Sequence, residues 1–163
     1  MIRVMLIEDS LGDALMVTRR LERELGSLDH FVLERAVTLE EGIDRLGKQS
    51  MDVVLLDLNL PDSTGIDTVR RVREAHPVPI VVLTSAGKGE VSVRAIQAGA
   101  QYYLSKGDLD AGPLLHRTLR RAIECARIKA AQGDNGRGAL TTRAADWSRH
   151  AVSADSTDPL DRR

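Results

Sequence analysis

The sequence has few of the features that mark secreted or membrane proteins. It contains a single cysteine, Cys125, which excludes an internal disulfide framework and a cysteine-rich metal site. No apolar run approaches the roughly 20 residues that a membrane-spanning helix needs. The first residues, MIRVMLIED, reach acidic side chains too early for a signal peptide. These absences favour a cytoplasmic protein that makes no contact with a membrane.

An excess of charge of one sign is also lacking. The chain has 23 basic and 24 acidic side chains, which gives a formal net charge of −1. Bulk electrostatics therefore favours neither nucleic acid nor an anionic membrane as a partner. The placement of individual charges, and not their sum, therefore carries the information about function.

Short apolar runs alternate with amphipathic stretches along most of the chain. The runs predict strands at residues 2–7, 31–37, 52–57, 80–84 and 102–104. Continuous Val, Ile and Leu runs are typical of a parallel sheet that is buried on both faces. Five repeats of strand and helix predict an α/β fold, with a doubly wound, five-stranded parallel sheet between helices.

The composition changes near Gln132. Beyond it, glycine, small polar residues and mixed charges replace any apolar period. We expect residues 1–131 to form one domain and residues 132–163 a disordered tail, because such a segment cannot bury enough apolar surface to fold. Trp147 lies in this tail and is expected to be exposed to solvent.

The first helix is expected to bury one apolar stripe. Leu11, Leu15, Thr18, Leu21 and Leu25 recur at helical spacing, and such a stripe normally faces the core.

Polar side chains end four of the five predicted strands. Glu8 and Asp9 end the first, Asp57 the third and Thr84 the fourth, while Lys106 follows the fifth. The carboxyl ends of parallel strands converge on one crevice, so these groups should face one another. Crowded carboxylates repel, and Mg²⁺ relieves that repulsion. One carboxylate could then attack phosphorus while Lys and Thr stabilise the transferring charge, which predicts an aspartyl-phosphate site.

Four motifs occur in a recognisable order, LIEDSLGDA, VVLLDLNLPDSTG, VVLTSAG and AGAQYYLSKGDLD. Together they resemble the receiver domain of two-component response regulators, of the stand-alone type found in chemotaxis regulators. The resemblance covers residues 2–130. It implies a flavodoxin-like (βα)5 fold with strand order 2-1-3-4-5.

The resemblance also implies a metal site and a phosphoacceptor. Asp57 corresponds to the residue that takes the phosphoryl group. Mg²⁺ would be held by Asp9, Asp57 and the main-chain carbonyl of Asn59, with Glu8 acting through water. The donor would be a sensor histidine kinase or a phosphotransfer protein. The domain would catalyse its own phosphorylation and dephosphorylation without being an enzyme for an external substrate.

Further roles follow by resemblance for residues of the last two strands. Thr84 would bind a phosphoryl oxygen, and Lys106 would pair with the phosphoryl group. Tyr103 matches the aromatic residue that turns inward when Thr84 moves to the phosphate. The family commonly has proline after this lysine, often with a cis bond, whereas this chain has Gly107. Because a cis bond before a non-proline residue costs about 2.5–4 kcal/mol, we expect a trans or more mobile loop.

Residues 109–131 predict a long fifth helix with a basic exposed face. Its apolar stripe includes Leu115, Leu119, Ala122 and Ala126, which is consistent with simple packing on the core. An alternative is a surface that forms a homodimer or docks a downstream protein in response to phosphorylation. Nucleic-acid binding is not expected, because the helix lacks interleaved aromatic residues and no recognised DNA-binding module follows.

Several polar residues have structural explanations. Thr38 and Glu41 fit a capping box at the second helix, and Asp62 or Ser63, in the loop after Asp57, could cap a helix. Asp13 either caps the first helix or lies near the acidic residues; capping is the preferred interpretation.

Two other functions share some of these residues. A phosphatase of the haloacid dehalogenase type also uses an aspartate nucleophile at a strand end with Mg²⁺, but that class needs a second acid two residues later, where this chain has Asn59. A receiver-like adaptor that binds its partner without phosphate is the other alternative, and Gly107 leaves it open.

Overall fold

The computed structural model describes residues 1–25, 30–85, 89–110 and 113–132. The tail predicted at residues 132–163 lies outside this part of the chain, apart from Gln132. In chain order the elements are β1 (Ile2–Ile7), α1 (Leu11–Leu25), β2 (Phe31–Ala36), α2 (Leu39–Lys48), β3 (Val53–Leu56), β4 (Asn59–Leu60), β5 (Ser63–Thr64), α3 (Ile66–Ala75), β6 (Ile80–Thr84), α4 (Glu90–Gln97), β7 (Tyr102–Ser105), a 3-10 helix (Lys106–Asp110) and α5 (Leu114–Ala131).

Five strands form one parallel sheet in the order β2-β1-β3-β6-β7. The two-residue strands β4 and β5 form a separate antiparallel hairpin in the loop after β3. Counted along the five-stranded sheet alone, the order is 2-1-3-4-5. The predicted fold class and strand order are therefore confirmed.

Side chains alternate between the two faces of the sheet, because successive residues of a strand point in opposite directions. On one face, Met5 and Ile7 of β1 pack in a core closed by α2, α3 and α4. On the other face, Val4 and Leu6 pack against α1 and α5. Each face of β1 is thus covered by helices, which explains why the strand is apolar throughout.

The buried face of α1 differs from the predicted one. Ala14, Val17 and Leu21 are buried against the sheet, whereas Leu11 and Leu15 are 62% and 47% exposed. The spacing i, i+3 and i+7 of the buried residues defines an apolar stripe that includes a small alanine. The leucine periodicity therefore identified the helix and the buried Leu21 correctly but assigned Leu11 and Leu15 to the inner face wrongly.

The fifth helix begins later than predicted. Lys106–Asp110 forms a 3-10 helix, and α5 starts at Leu114 instead of residue 109. The predicted stripe is confirmed at Leu115, Leu119 and Ala122, which are all buried. The bond between Lys106 and Gly107 is trans, since no peptide bond in the described part of the chain is cis.

The capping box at α2 forms with a variation. Thr38 Oγ1 accepts a hydrogen bond from the backbone N–H of Glu41 at 3.2 Å. The Glu41 carboxylate accepts in return from the N–H of Val37 at 2.9 Å, one residue before the cap. The third helix starts after Gly65 without a side-chain cap. Asp62 does cap a helix, as predicted, but that helix is α2, whose first two N–H groups donate to its carboxylate.

Candidate functional site

The carboxyl ends of the strands bring the predicted polar residues to one edge of the sheet. Glu8 and Asp9 follow β1, Asp57 follows β3, Thr84 is the last residue of β6, and Lys106 follows β7. The strands β1, β3, β6 and β7 are neighbours in the sheet. The loops that carry these residues therefore open on the same crevice, as expected for an open α/β sheet.

Backbone hydrogen bonds extend the sheet to the acidic residues themselves. The N–H of Asp57 donates to the carbonyl of Ile7 at 3.0 Å, and the N–H of Glu8 donates to the carbonyl of Ala36 at 2.9 Å. These bonds continue the parallel ladder beyond the last residue of each strand. The Glu8 and Asp57 carboxylates consequently project from a rigid backbone.

Three carboxylates form the centre of the site. Glu8, Asp9 and Asp57 each offer one oxygen, and these oxygens lie within 4.8 Å of one another. Glu8 is fully buried and Asp57 nearly so, while Asp9 is exposed. Burial raises the pKa of Glu8 above its ordinary value, the close contact with Lys106 opposes this effect, and the charge of Asp57 adds to it.

Lys106 supplies the positive charge beside these acids. Its Nζ lies 2.7 Å from Glu8 Oε2, 2.8 Å from Asp57 Oδ2 and 2.6 Å from Asp13 Oδ2. Burial alone lowers the pKa of an ammonium group, but the close contacts with the three carboxylates outweigh burial and raise the pKa of Lys106. The side chain therefore stays protonated beside the aspartate that ends β3.

Asp13 belongs to the site, contrary to the preferred interpretation that it caps α1. The cap is Ser10, whose Oγ accepts the backbone N–H of Asp13 at 3.2 Å. The Asp13 carboxylate instead accepts a hydrogen bond from Lys106 at 2.6 Å. Asp13 lies four residues after Asp9, one helical turn further on, and that spacing is the only signal in the sequence that could have placed it here.

Arg35 is a second residue of the site that sequence reasoning missed. It projects from β2, and its Nε donates to the carbonyl oxygen of Glu8 at 3.0 Å. Its Nη2 donates to the carbonyl oxygen of Asp9 at 2.6 Å. One guanidinium thus holds the backbone of the two consecutive acids. Nothing in the polar sequence of the second strand distinguishes Arg35 from a solvent-exposed residue.

The three acids have the chemistry of a magnesium site. Their donors are hard carboxylate oxygens, which Mg²⁺ prefers, and they are close enough to share one ion. Glu8 Oε2 forms an ion pair with Lys106 at 2.7 Å. Among the described residues, Glu8 Oε2 is nevertheless the one buried side-chain oxygen without a well-angled hydrogen bond. A buried carboxylate oxygen in that position fits direct or water-mediated contact with a cation.

The remaining predicted site residues are Thr84, Asn59 and Tyr103. Thr84 is 3% exposed and pairs in register with Ser105, the residue before Lys106. Asn59 is exposed, and its backbone N–H donates to Asp57 Oδ1 at 3.3 Å. Tyr103 is half-buried against the core on the side of α4. Burial first, and the charge of Asp108 second, raise the pKa of its hydroxyl.

None of the helices in the described ranges combines the length and apolarity needed to cross a membrane.

The sequence is similar to those of known proteins. The family model for the response regulator receiver domain matches residues 4–112. The KDP operon transcriptional regulatory protein KdpE of Escherichia coli is 34% identical over 125 residues, which are 74% of this chain and 52% of KdpE. The regulatory protein LuxO of Vibrio cholerae is 43% identical over 70 residues, 42% of this chain and 15% of LuxO.

A solved structure gives the same result for the fold. The chemotaxis response regulator CheY4 of Vibrio cholerae superposes with a TM-score of 0.61 at 28% identity, covering 75% of this chain and 98% of that one. The match thus covers nearly the whole length of CheY4. In contrast, the chain spans about half the length of KdpE and a smaller part of LuxO.

Proposed function

The chain belongs to the response regulator receiver domain family, and we propose that it acts as a single-domain response regulator of a two-component phosphorelay. In this proposal residues 1–131 form the receiver domain and residues 132–163 a tail. A histidine kinase or phosphotransfer protein donates the phosphoryl group, and Asp57 accepts it. The protein works in the cytoplasm, with neither nucleic acid nor a membrane as a partner.

The observation that carries the proposal is the position of the Asp57 carboxylate. It follows a buried strand, with Oδ2 2.8 Å from Lys106 Nζ and Oδ1 3.3 Å from the N–H of Asn59. In the proposed step, one Asp57 oxygen forms a bond to phosphorus while the bond from phosphorus to the donor breaks. The donor leaves with the bonding electron pair. The Lys106 ammonium lies where negative charge on the phosphoryl oxygens needs a partner.

A divalent cation completes the proposed site. We assign Mg²⁺ to Asp9, Asp57 and the main-chain carbonyl of Asn59, with Glu8 contributing through water. Support comes from the three carboxylate oxygens within 4.8 Å of one another. Bound Mg²⁺ would supply positive charge that reduces repulsion between the acids and the incoming phosphoryl group.

Thr84 and Tyr103 form the proposed switch. The Thr84 hydroxyl would take a phosphoryl oxygen as its partner, and Tyr103 would turn inward as Thr84 moves. Both residues lie on neighbouring strands, β6 and β7, that pair in register. Rearrangement there would change the surface formed by α4, β7 and α5, which a downstream protein reads.

The exposed face of α5 is part of that proposed surface. Arg117, Arg120, Arg121, Arg127 and Lys129 are all exposed on the helix. This basic face would dock a downstream protein or form a homodimer. Light scattering with and without a phosphoryl analogue tests the dimer, and identical masses in the two states would rule out control of dimerisation by phosphorylation.

Intact-mass analysis tests phosphorylation. The wild type and Asp57→Asn are incubated with acetyl phosphate, each with Mg²⁺ and with a chelator. We expect a gain of one phosphoryl group, about 80 Da, only in the wild type with Mg²⁺. Equal labelling of Asp57→Asn would place the acceptor elsewhere. Absence of labelling from both acetyl phosphate and a phosphorylated histidine donor would favour a phosphate-independent adaptor.

A further inference from the structure

Lys106 is held from two sides of the site. Its Nζ donates well-angled hydrogen bonds to Asp57 Oδ2 at 2.8 Å and to Asp13 Oδ2 at 2.6 Å. The contact with Glu8 is an ion pair at 2.7 Å without that geometry. Two of the three partners, Glu8 and Asp57, belong to the acidic cluster that fits a metal ion, whereas Asp13 does not.

Two cations therefore depend on the same two carboxylates. An ammonium beside Glu8 and Asp57 neutralises the charge that a divalent ion needs, and a divalent ion repels an ammonium at that distance. The Lys106 side chain is only 8% exposed, so solvent cannot replace the carboxylates as the partner of its ammonium group. An anionic partner outside the metal cluster would keep Lys106 in place while the ion takes Glu8 and Asp57.

The geometry points to Asp13 as that partner. We propose that Asp13 is a positioning residue that anchors the Lys106 ammonium outside the metal cluster, which frees Glu8 and Asp57 for the cation and keeps Lys106 beside the phosphoacceptor. The inference rests on the proposed function, because it concerns the same metal site and the same lysine.

The position of Asp13 suits this role. It lies in the first turn of α1, and Ser10 Oγ, which accepts the backbone N–H of Asp13, fixes that turn. The Asp13 side chain is 37% exposed while that of Glu8 is 0% exposed. A partly hydrated carboxylate loses little solvation, so the Asp13 side chain can hold an ammonium without help from the metal site.

The test is a double-mutant cycle on metal affinity. The Kd for Mg²⁺ is measured by calorimetry for the wild type, Asp13→Asn, Lys106→Met and the double variant. We expect Asp13→Asn to weaken binding about tenfold, as is usual for groups that orient metal ligands. In the Lys106→Met background the same substitution should change the Kd less than about twofold, because the ammonium that competes for Glu8 and Asp57 is gone.

Controls separate this role from general charge effects and from misfolding. Asp67→Asn removes an exposed acid from the first turn of α3 and should leave the Kd unchanged. Asp13→Glu keeps the charge and should retain most of the affinity. An equal loss of Mg²⁺ affinity from Asp13→Asn in both backgrounds would mean that the Asp13 charge attracts the ion over a distance, and this would overturn the inference. No loss of affinity in either background would also overturn it.

The inference and the proposed function can fail separately. If the wild type binds Mg²⁺ and is labelled at Asp57 while Asp13→Asn binds equally well, only the role of Asp13 is wrong. If the wild type neither binds Mg²⁺ nor becomes labelled, both are wrong.

Discussion

Asp62 Oδ1 accepts a hydrogen bond from the backbone N–H of Leu39 at 2.8 Å, and Oδ2 accepts one from the N–H of Glu40 at 2.9 Å. Leu39 and Glu40 are the first two residues of α2, so their N–H groups have no partner within the helix. Asp62 lies between β4 and β5, in the loop that follows Asp57. The loop beside the proposed phosphoacceptor is thus tied to the start of α2.

The Asp62 contact should contribute to stability. Asp62→Ala removes both acceptors from the start of α2, so we expect the free energy of unfolding at pH 7 to fall by about 1 kcal/mol, as for other lost helix caps. Urea unfolding followed by circular dichroism measures the change. Asp67→Ala, which removes an exposed acid from α3, should stay within about 0.5 kcal/mol of the wild type.

The same contact predicts a pH dependence. Slight burial would raise the pKa of Asp62, but the N–H groups of Leu39 and Glu40 outweigh it, so its pKa lies below the ordinary 3.8. A carboxyl group whose pKa is lower in the folded than in the unfolded protein stabilises the folded state at any pH above its unfolded pKa. That contribution is lost as the pH falls through the folded pKa. The loss in free energy of unfolding caused by Asp62→Ala should be constant above about pH 5. It should shrink below pH 3.8. A deficit that grows on acidification would contradict this.

Two glycines of α2 should respond oppositely to alanine. A Cβ at Gly42 would overlap the side chain of Ile7, the residue before Glu8, whereas a Cβ at Gly47 would meet nothing closer than 3.7 Å, at His76. Overpacking of a tight core typically costs about 1–3 kcal/mol. We expect Gly42→Ala to lower the free energy of unfolding and Gly47→Ala to raise it by about 0.4–1 kcal/mol. Urea titration of both variants is decisive, and equal effects would mean that α2 does not pack on Ile7 as described.

Arg35 should affect metal binding from outside the acidic cluster. Arg35→Ala removes the hydrogen bonds to the carbonyl oxygens of Glu8 and Asp9, so we expect the Kd for Mg²⁺ to rise about tenfold. Calorimetry measures the effect, and Arg35→Lys should recover part of it. Arg70→Ala is a suitable control, because Arg70 pairs only locally with Asp67 on the surface of α3. An unchanged Kd in a folded Arg35→Ala would show that these carbonyl contacts do not position the acids.

The centre of the site could be predicted because it follows from where strands end. In a parallel sheet buried on both faces, each strand is a continuous apolar run, and the first polar residue marks its carboxyl end. Glu8 after Ile7 and Asp57 after Leu56 are such positions. Once the strands alternate with helices, topology alone places these residues at one edge.

Contacts between distant segments could not be predicted in this way. Asp13 and Lys106 are 93 positions apart, and Asp62 and Leu39 are 23 apart. Local preference assigns an aspartate near a helix start to a capping role, which was wrong for Asp13 and could not identify α2 as the helix that Asp62 caps. Leu15 shows a related limit, because periodicity identifies an apolar stripe but does not tell which neighbouring stripe packs closest to the sheet.

Chemical trapping shows whether the Asp57 carboxylate takes the phosphoryl group. After incubation with Mg²⁺ and acetyl phosphate, borohydride reduces an aspartyl phosphate to homoserine and releases phosphate, and peptide mass spectrometry locates the altered residue. We expect homoserine at position 57 when Mg²⁺ is present and no homoserine when Mg²⁺ is removed. Homoserine at another acid, or none in protein whose intact mass has gained a phosphoryl group, would contradict it.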